Sequence, residues 1–212
     1  MPKPPLGQGV RTLSAPITRG QLLSRSAKGG AALLVAGSAL GAFVDTAAAA
    51  LPVGDLAWAR LLVGAELLAS DFYSSATAAG NTNKTVTSNL KRAYANEQEH
   101  YQSVAEIITG AGATPAVSGD IDFNYPDGTF ASQHSIVKFA GQLETIILGS
   151  YLGAIDGIQT DSLKAGLARI AANEAQHVSY FTAAGGGKAF TLSFPPALTI
   201  DQASNALDAF TA

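Results

Sequence analysis

A six-residue pattern occurs twice in this chain: Ala95-Asn96-Glu97-Gln98-Glu99-His100 and Ala172-Asn173-Glu174-Ala175-Gln176-His177. Both copies read Ala-Asn-Glu-x-x-His, and both sit inside stretches with helical periodicity. Side chains three apart on a helix share a face, about 4.5 Å apart along the axis. A carboxylate and an imidazole placed in this way reach the same metal ion. The chain has only three His and six Glu, so two of its three His carry a Glu three residues before them. Any fold must therefore accommodate two Glu-x-x-His helices.

The apolar spacing predicts four long helices. The first runs from Asp55, read as its N-cap, to about Ala79, with Leu62, Glu66, Ala69 and Tyr73 on one face and Gly80-Asn81 as the stop. The second begins near Thr85 or Ser88 and ends at about Thr109, with Gly110 as its C-terminal signal. Its inner stripe is Leu90, Ala93, Glu97, His100, Val104 and Ile108. A long connection with Pro and Gly, residues 110–131, is long enough to cross the end of a bundle. The third helix spans about Ser132 to Asp156, with Phe139, Ala140, Glu144, Ile147 and Tyr151 inward; Gly157 and Thr160 mark a tight turn. The fourth spans about Asp161 to Ala184, with Leu163, Leu167, Ile170, Glu174, His177 and Phe181 inward, and ends at Gly185-Gly186-Gly187.

The halves repeat. Glu66 is followed seven residues later by Tyr73 and 31 residues later by Glu97; Glu144 is followed by Tyr151 at the same spacing and by Glu174 after 30. Two related helix hairpins joined by one crossover predict an all-α antiparallel four-helix bundle over residues 51–184. Residues 185–212 form a tail. In it Phe190, Leu192 and Phe194 alternate, Pro195-Pro196 breaks the chain, and Thr199 with Gln202 suggests a capping box. Ile200, Ala203, Leu207 and Phe210 then give a short amphipathic helix. It is too short to stand alone, and is expected to pack on the bundle or on another subunit.

Residues 1–50 read as an export segment. They carry Lys3, Arg11, Arg19, Arg25 and Lys28, an apolar run from Gly29 to Phe43, and an Ala-rich end after Asp45. That order of basic, apolar and small residues is a secretory signal, and the apolar run is too short to span a membrane. An N-terminal anchor helix is the alternative. Thr18-Arg19-Gly20-Gln21-Leu22-Leu23 resembles a twin-arginine signal but has Gly20 where the second Arg belongs. The expected location is periplasmic, cell-envelope or extracellular, by a twin-arginine-like or general secretory route.

Of the 13 Lys and Arg and 16 Asp and Glu, five basic residues and one acidic residue fall in that segment, which leaves the rest near −7. Such a surface suits metal cations and disfavours nucleic acid. The absence of Cys excludes disulfides, iron–sulfur clusters and thiolate zinc sites.

Four inward Glu and two inward His, with no inward Lys or Arg to pair them, point to a metal site, because buried charges pair or coordinate metals. Two divalent ions would balance four carboxylates, and the oxygen and imidazole donors suit iron or manganese. Glu99 and Glu106 fall off the stripe and read as solvated. His134 reads as a surface or capping residue. Tyr73 and Tyr151 lie about 10 Å along the axis beyond a Glu. Each is either a hydrogen-bond or electron donor beside the ligands or a core Tyr satisfied elsewhere. Asn96 and Asn173 point about 100° away from the adjacent Glu and suit bonds between helices.

One Glu from each of two helices and one Glu-x-x-His from each of the other two resembles the ferritin-like di-iron carboxylate proteins, over about residues 53–184. The resemblance implies that Glu97 and Glu174 bridge two metals, with Glu66 and His100 completing one and Glu144 and His177 the other. It implies a centre of two Fe ions, or alternatively Mn, working on O2 or peroxide. The expected function is an exported metal-oxidising or peroxide-consuming protein, a ferroxidase-like oxidoreductase. The alternatives are manganese-catalase-like chemistry and a non-enzymatic scaffold similar to desiccation-related ferritin-like proteins. Whether the chain forms a homo-oligomer or a cage is left open by the sequence.

Overall fold

The computed structural model describes residues 51–190 and 192–211. Residues 1–50, read above as an export segment, and their Thr18-Arg19-Gly20 motif lie outside them. The described residues form five helices in chain order: α1 Val53–Ala78, α2 Lys84–Gly110, α3 Gln133–Gly157, α4 Asp161–Ala184 and α5 Ile200–Asp208. α1 packs along α2 and α3 along α4, two hairpins that face each other chiefly through α1 and α3. α2 and α4, which carry the Glu-x-x-His pairs, touch only sparsely. The inward residues expected from the sequence on all four long helices are buried.

The helix starts follow local chemistry. Asn83 caps α2 by accepting from Val86 N at 3.0 Å. Ser132 and Ser135 form a reciprocal capping box on α3, and Thr199 and Gln202 do the same on α5. Each such cap stabilises its helix by about 1 kcal/mol. The first helix differs from expectation, because Asp55 does not cap α1. Pro52 precedes that helix, and α1 begins at Val53. The Asp55 carboxylate is fully buried and accepts from Gln159 N and Thr160 N, both at 2.9 Å. It satisfies backbone donors at the start of α4, whose own N-cap Thr160 makes no side-chain bond. α2 also continues through Gly110, and Gly112, at φ 74°, takes the left-handed conformation after it.

The 22 residues between α2 and α3 are pinned at several points. Tyr101 donates to Ala116 O at 2.8 Å, Tyr125 donates to Asp71 Oδ2 at 2.8 Å, and Asn124 N donates to Phe210 O at 2.8 Å. The tail crosses α3 over Gly149 and Gly153. Leu198 N donates to Gly149 O at 2.9 Å, and a Cβ on Gly153 would collide with the Leu198 carbonyl. A Cβ on Gly157 would lie 2.6 Å from Trp58 Nε1. These glycines let the chain lie directly on the helix. α5 then packs on α3 and α1 and buries Ala203 and Leu207. Phe190, Leu192 and Phe194 alternate as expected, yet they are exposed and form no strand.

Candidate metal centre

Glu66, Glu97, Glu144 and Glu174 project from four different helices and are all fully buried. Each lies on the stripe of its helix that faces the bundle axis; the 3.6-residue repeat turns them inward, and the offsets of the packed helices bring them to one level. His100 and His177 keep only a small edge exposed, 8% and 7%. Their rings stand 6.4 Å apart between centroids.

The inner ring nitrogens face the carboxylates. His100 Nδ1 lies 2.7 Å from Glu174 Oε1, 3.3 Å from Glu97 Oε2 and 3.7 Å from Glu66 Oε2. His177 Nδ1 lies 3.0 Å from Glu97 Oε1 and 3.3 Å from both Glu144 Oε1 and Glu174 Oε2. The donors fall into two sets of four, Glu66, Glu97, His100 and Glu174, and Glu97, Glu144, Glu174 and His177. Within each set the ligand atoms all lie within 4.8 Å of one another, and Glu97 and Glu174 belong to both.

Despite this closeness, Glu66 Oε2, Glu97 Oε1, Glu144 Oε2, both Glu174 oxygens and His177 Nδ1 are buried without a hydrogen bond. Unpaired buried acceptors of this kind cost about 1–3 kcal/mol each, more when charged. A cation among them removes that cost, so the donor set fits a metal. Without metal the cluster balances its charge with protons. Burial, with repulsion from Glu97, pushes the Glu66 carboxyl well above its ordinary value; burial, with repulsion from Glu174, does the same for Glu144. Burial also opposes ionisation of Glu174, but the close approach of His100, His177 and Glu144 outweighs it and leaves that carboxyl at about 2. Burial opposes the charged imidazoles too. The surrounding carboxylates outweigh it, raising His177 to about 12 and His100 strongly in the same direction.

Both tyrosines reach the cluster, each in the opposite half. The Tyr73 hydroxyl donates to Glu144 Oε1, and the Tyr151 hydroxyl donates to Glu66 Oε1. Burial and the adjacent carboxylate hold both phenols protonated well above their usual range. Asn96 also bonds between helices, with its amide 3.0 Å from His177 Nε2.

The remaining candidates lie elsewhere. Glu99 is exposed as expected, whereas Glu106 is half-buried. His134 is exposed and borders a surface cavity of 810 Å³ that also involves Phe181 and Phe210 but none of the six Glu and His of the cluster. Sequence reasoning missed the role of Asp55, whose backbone partners lie more than a hundred residues away.

Residues 54–186 match the family model described as ferritin-like domain, more than half of the 212-residue chain. No curated protein matches the chain. Among the described residues no helix is long and apolar enough to cross a membrane.

Proposed function

The chain belongs to the ferritin-like domain family, and from that premise we propose that its cluster holds a dinuclear non-haem metal centre that oxidises metal or consumes O2 or peroxide. The observation that carries the reading is the pair of four-donor sets sharing Glu97 and Glu174. Glu97 and Glu174 would bridge. Glu66 with His100 would complete one position, and Glu144 with His177 the other. Four carboxylates offset the charge of two divalent ions. Two ferrous ions bound there would supply one electron each to O2 or peroxide.

The chain's own residues would do the rest. Tyr73 and Tyr151 hold a phenolic proton against Glu144 Oε1 and Glu66 Oε1, which fixes those carboxylates and keeps a proton at hand. The apolar side chains of the four stripes exclude bulk water. O2 or peroxide would approach along the small exposed edges of His100 on α2 and His177 on α4.

The same oxygen and imidazole donors accept Mn(II), so manganese-catalase-like peroxide dismutation is the second reading. The export reading of residues 1–50 is part of the proposal and rests on their residue order alone. Mass spectrometry of secreted or periplasmic protein should find a chain starting near residue 50; material starting at Met1 would remove that part.

The test of the centre is elemental analysis of purified mature protein, followed by Fe(II) or Mn(II) titration with O2 and peroxide uptake. Two ions per chain and turnover with iron are expected. Manganese with peroxide dismutation selects the second reading. Retained metal without turnover leaves a non-enzymatic scaffold. Failure to bind either metal, with thermal stability indifferent to both, overturns the centre altogether.

A further inference from the structure

The two motifs are alike in sequence but not in their outer contacts. The Asn96 amide spans from α2 to His177 on α4, with Nδ2 and Nε2 3.0 Å apart. Asn173 occupies the same place in the second motif, yet among the described residues it has no hydrogen bond to His100. Among the described residues the bond therefore belongs to one half only, and it crosses between two helices that touch only sparsely.

The chemistry of an imidazole ligand gives this contact a direction. His177 Nδ1 faces Glu97, Glu144 and Glu174, so it is the atom available to a metal. A ring that offers the Nδ1 lone pair inward carries its proton on Nε2, and that N–H needs an acceptor. A half-turn of an amide exchanges Oδ1 with Nδ2 at nearly the same place, and the ring's protonation decides which of the two faces it. Only a ring with its proton on Nδ1 would take Nδ2 of Asn96.

We infer that Asn96 is a positioning residue for the ion held by Glu144 and His177: its Oδ1 accepts from His177 Nε2–H, fixing the ring's orientation and leaving Nδ1 for the metal. Among the described residues His100 has no such partner, so the two ions would be held unequally. The inference rests on the dinuclear reading above and goes beyond it in assigning the inequality to one residue.

The test is Mn(II) titration of the full mature chain, after chelation, by calorimetry and equilibrium dialysis. Asn96→Leu keeps the size and removes the acceptor; it should weaken one of two ions by roughly 10- to 100-fold, as loss of an outer partner of a ligand His does. Asn96→Asp, which still accepts, should restore binding, and Asn173→Leu should leave both ions unchanged. Nitrogen-15 spectra of the Zn(II)-loaded protein should show a slowly exchanging His177 Nε2–H in the wild type and its loss in Asn96→Leu. If Asn96→Leu does not fold, Asn96→Ala reads the same loss. Two ions bound by Asn96→Leu as tightly as by the wild type would overturn the inference and leave the centre intact. So would failure of Asn96→Asp to restore binding, or an equal loss in Asn173→Leu. A wild type that binds no ion removes the centre and this inference together.

Discussion

The α1–α2 hairpin and the α3–α4 hairpin carry the same chemical residues at nearly the same spacing, and differ in almost everything that surrounds them. Glu66, Tyr73, Glu97 and His100 answer to Glu144, Tyr151, Glu174 and His177. The tyrosines exchange partners across the halves. Beyond that, Tyr73 stands against the rings of Phe72 and Phe181, at 5.2 and 5.5 Å, while Tyr151 has no ring contact among the described residues. Asn96 bonds a histidine, and among the described residues Asn173 does not. α3 gives up side chains at Gly149, Gly153 and Gly157 so that the tail and Trp58 can lie on it, whereas Gly64 of α1 has open space around its Cβ position. The cluster constrains only the residues that point at it, so the ligands stay paired while the outer faces serve different neighbours.

The sharpest way to test the pairing is to remove a shared and an unshared carboxylate in turn. Glu97→Ala or Glu174→Ala should cost both ions, because each residue belongs to both four-donor sets. His100→Ala and His177→Ala should each cost mainly one. On the dinuclear reading the expected metal content falls from two per chain to near none in the first pair and to about one in the second, since the histidines belong to separate donor sets. Equal loss in all four variants would mean that the halves do not define separate positions.

Metal removal should expose the proton balance of the cluster. Glu66, Glu144, His100 and His177 have folded values above their ordinary ones, so the folded metal-free chain holds protons that the unfolded chain has released. For His177 that stabilisation is complete below 6.5 and declines as pH rises toward about 12. For Glu66 and Glu144 it is complete below 4.5 and lost as pH rises through their raised folded values. Glu174 runs the other way: its contribution is present above 4.5 and is lost as pH falls toward about 2. The metal-free protein should therefore melt at progressively lower temperature between about pH 6 and about pH 9, and added Mn(II) should stabilise it most at the alkaline end. Melting curves with chelator and with metal check this; a constant gap across that range would contradict the assigned directions.

The four long helices and their inner stripes were legible in the sequence because helical period alone decides which residues share a face. Glu66, Glu97, Glu144 and Glu174 need no knowledge of the neighbouring helix to be placed inward. Contacts between helices follow no such rule. Tyr73 lies two turns beyond Glu66 but bonds Glu144, and this depends on how far α1 is offset from α3. Asp55 looked like a local cap, and only the packed hairpins bring Gln159 and Thr160 to it. Gly149 and Gly153 of α3 carry no signal in the sequence, because their neighbour Leu198 comes from the distant tail.

That last contrast yields the smallest and cleanest expectation. Gly64 and Gly153 both sit within long helices, where Ala is intrinsically preferred by about 1 kcal/mol. At Gly64 nothing lies within 4 Å of an added Cβ, so Gly64→Ala should stabilise by about 0.5–1 kcal/mol. At Gly153 the same methyl meets the Leu198 carbonyl and stands 3.0 Å from the Trp58 ring. Leu198 is held through its N–H, which donates to Gly149 O, so its carbonyl cannot step aside without moving the chain that leads into α5. Overpacking of this kind costs about 1–3 kcal/mol and outweighs the helical gain. Gly153→Ala should lower the melting temperature and raise protease sensitivity in the tail, while metal content stays at the wild-type value, because neither Gly153 nor Leu198 belongs to the donor sets. Chemical denaturation, limited proteolysis and metal analysis of the two variants read the three effects separately. Two Gly→Ala changes with the same sign would show that the tail does not hold α3 in the way the packing requires.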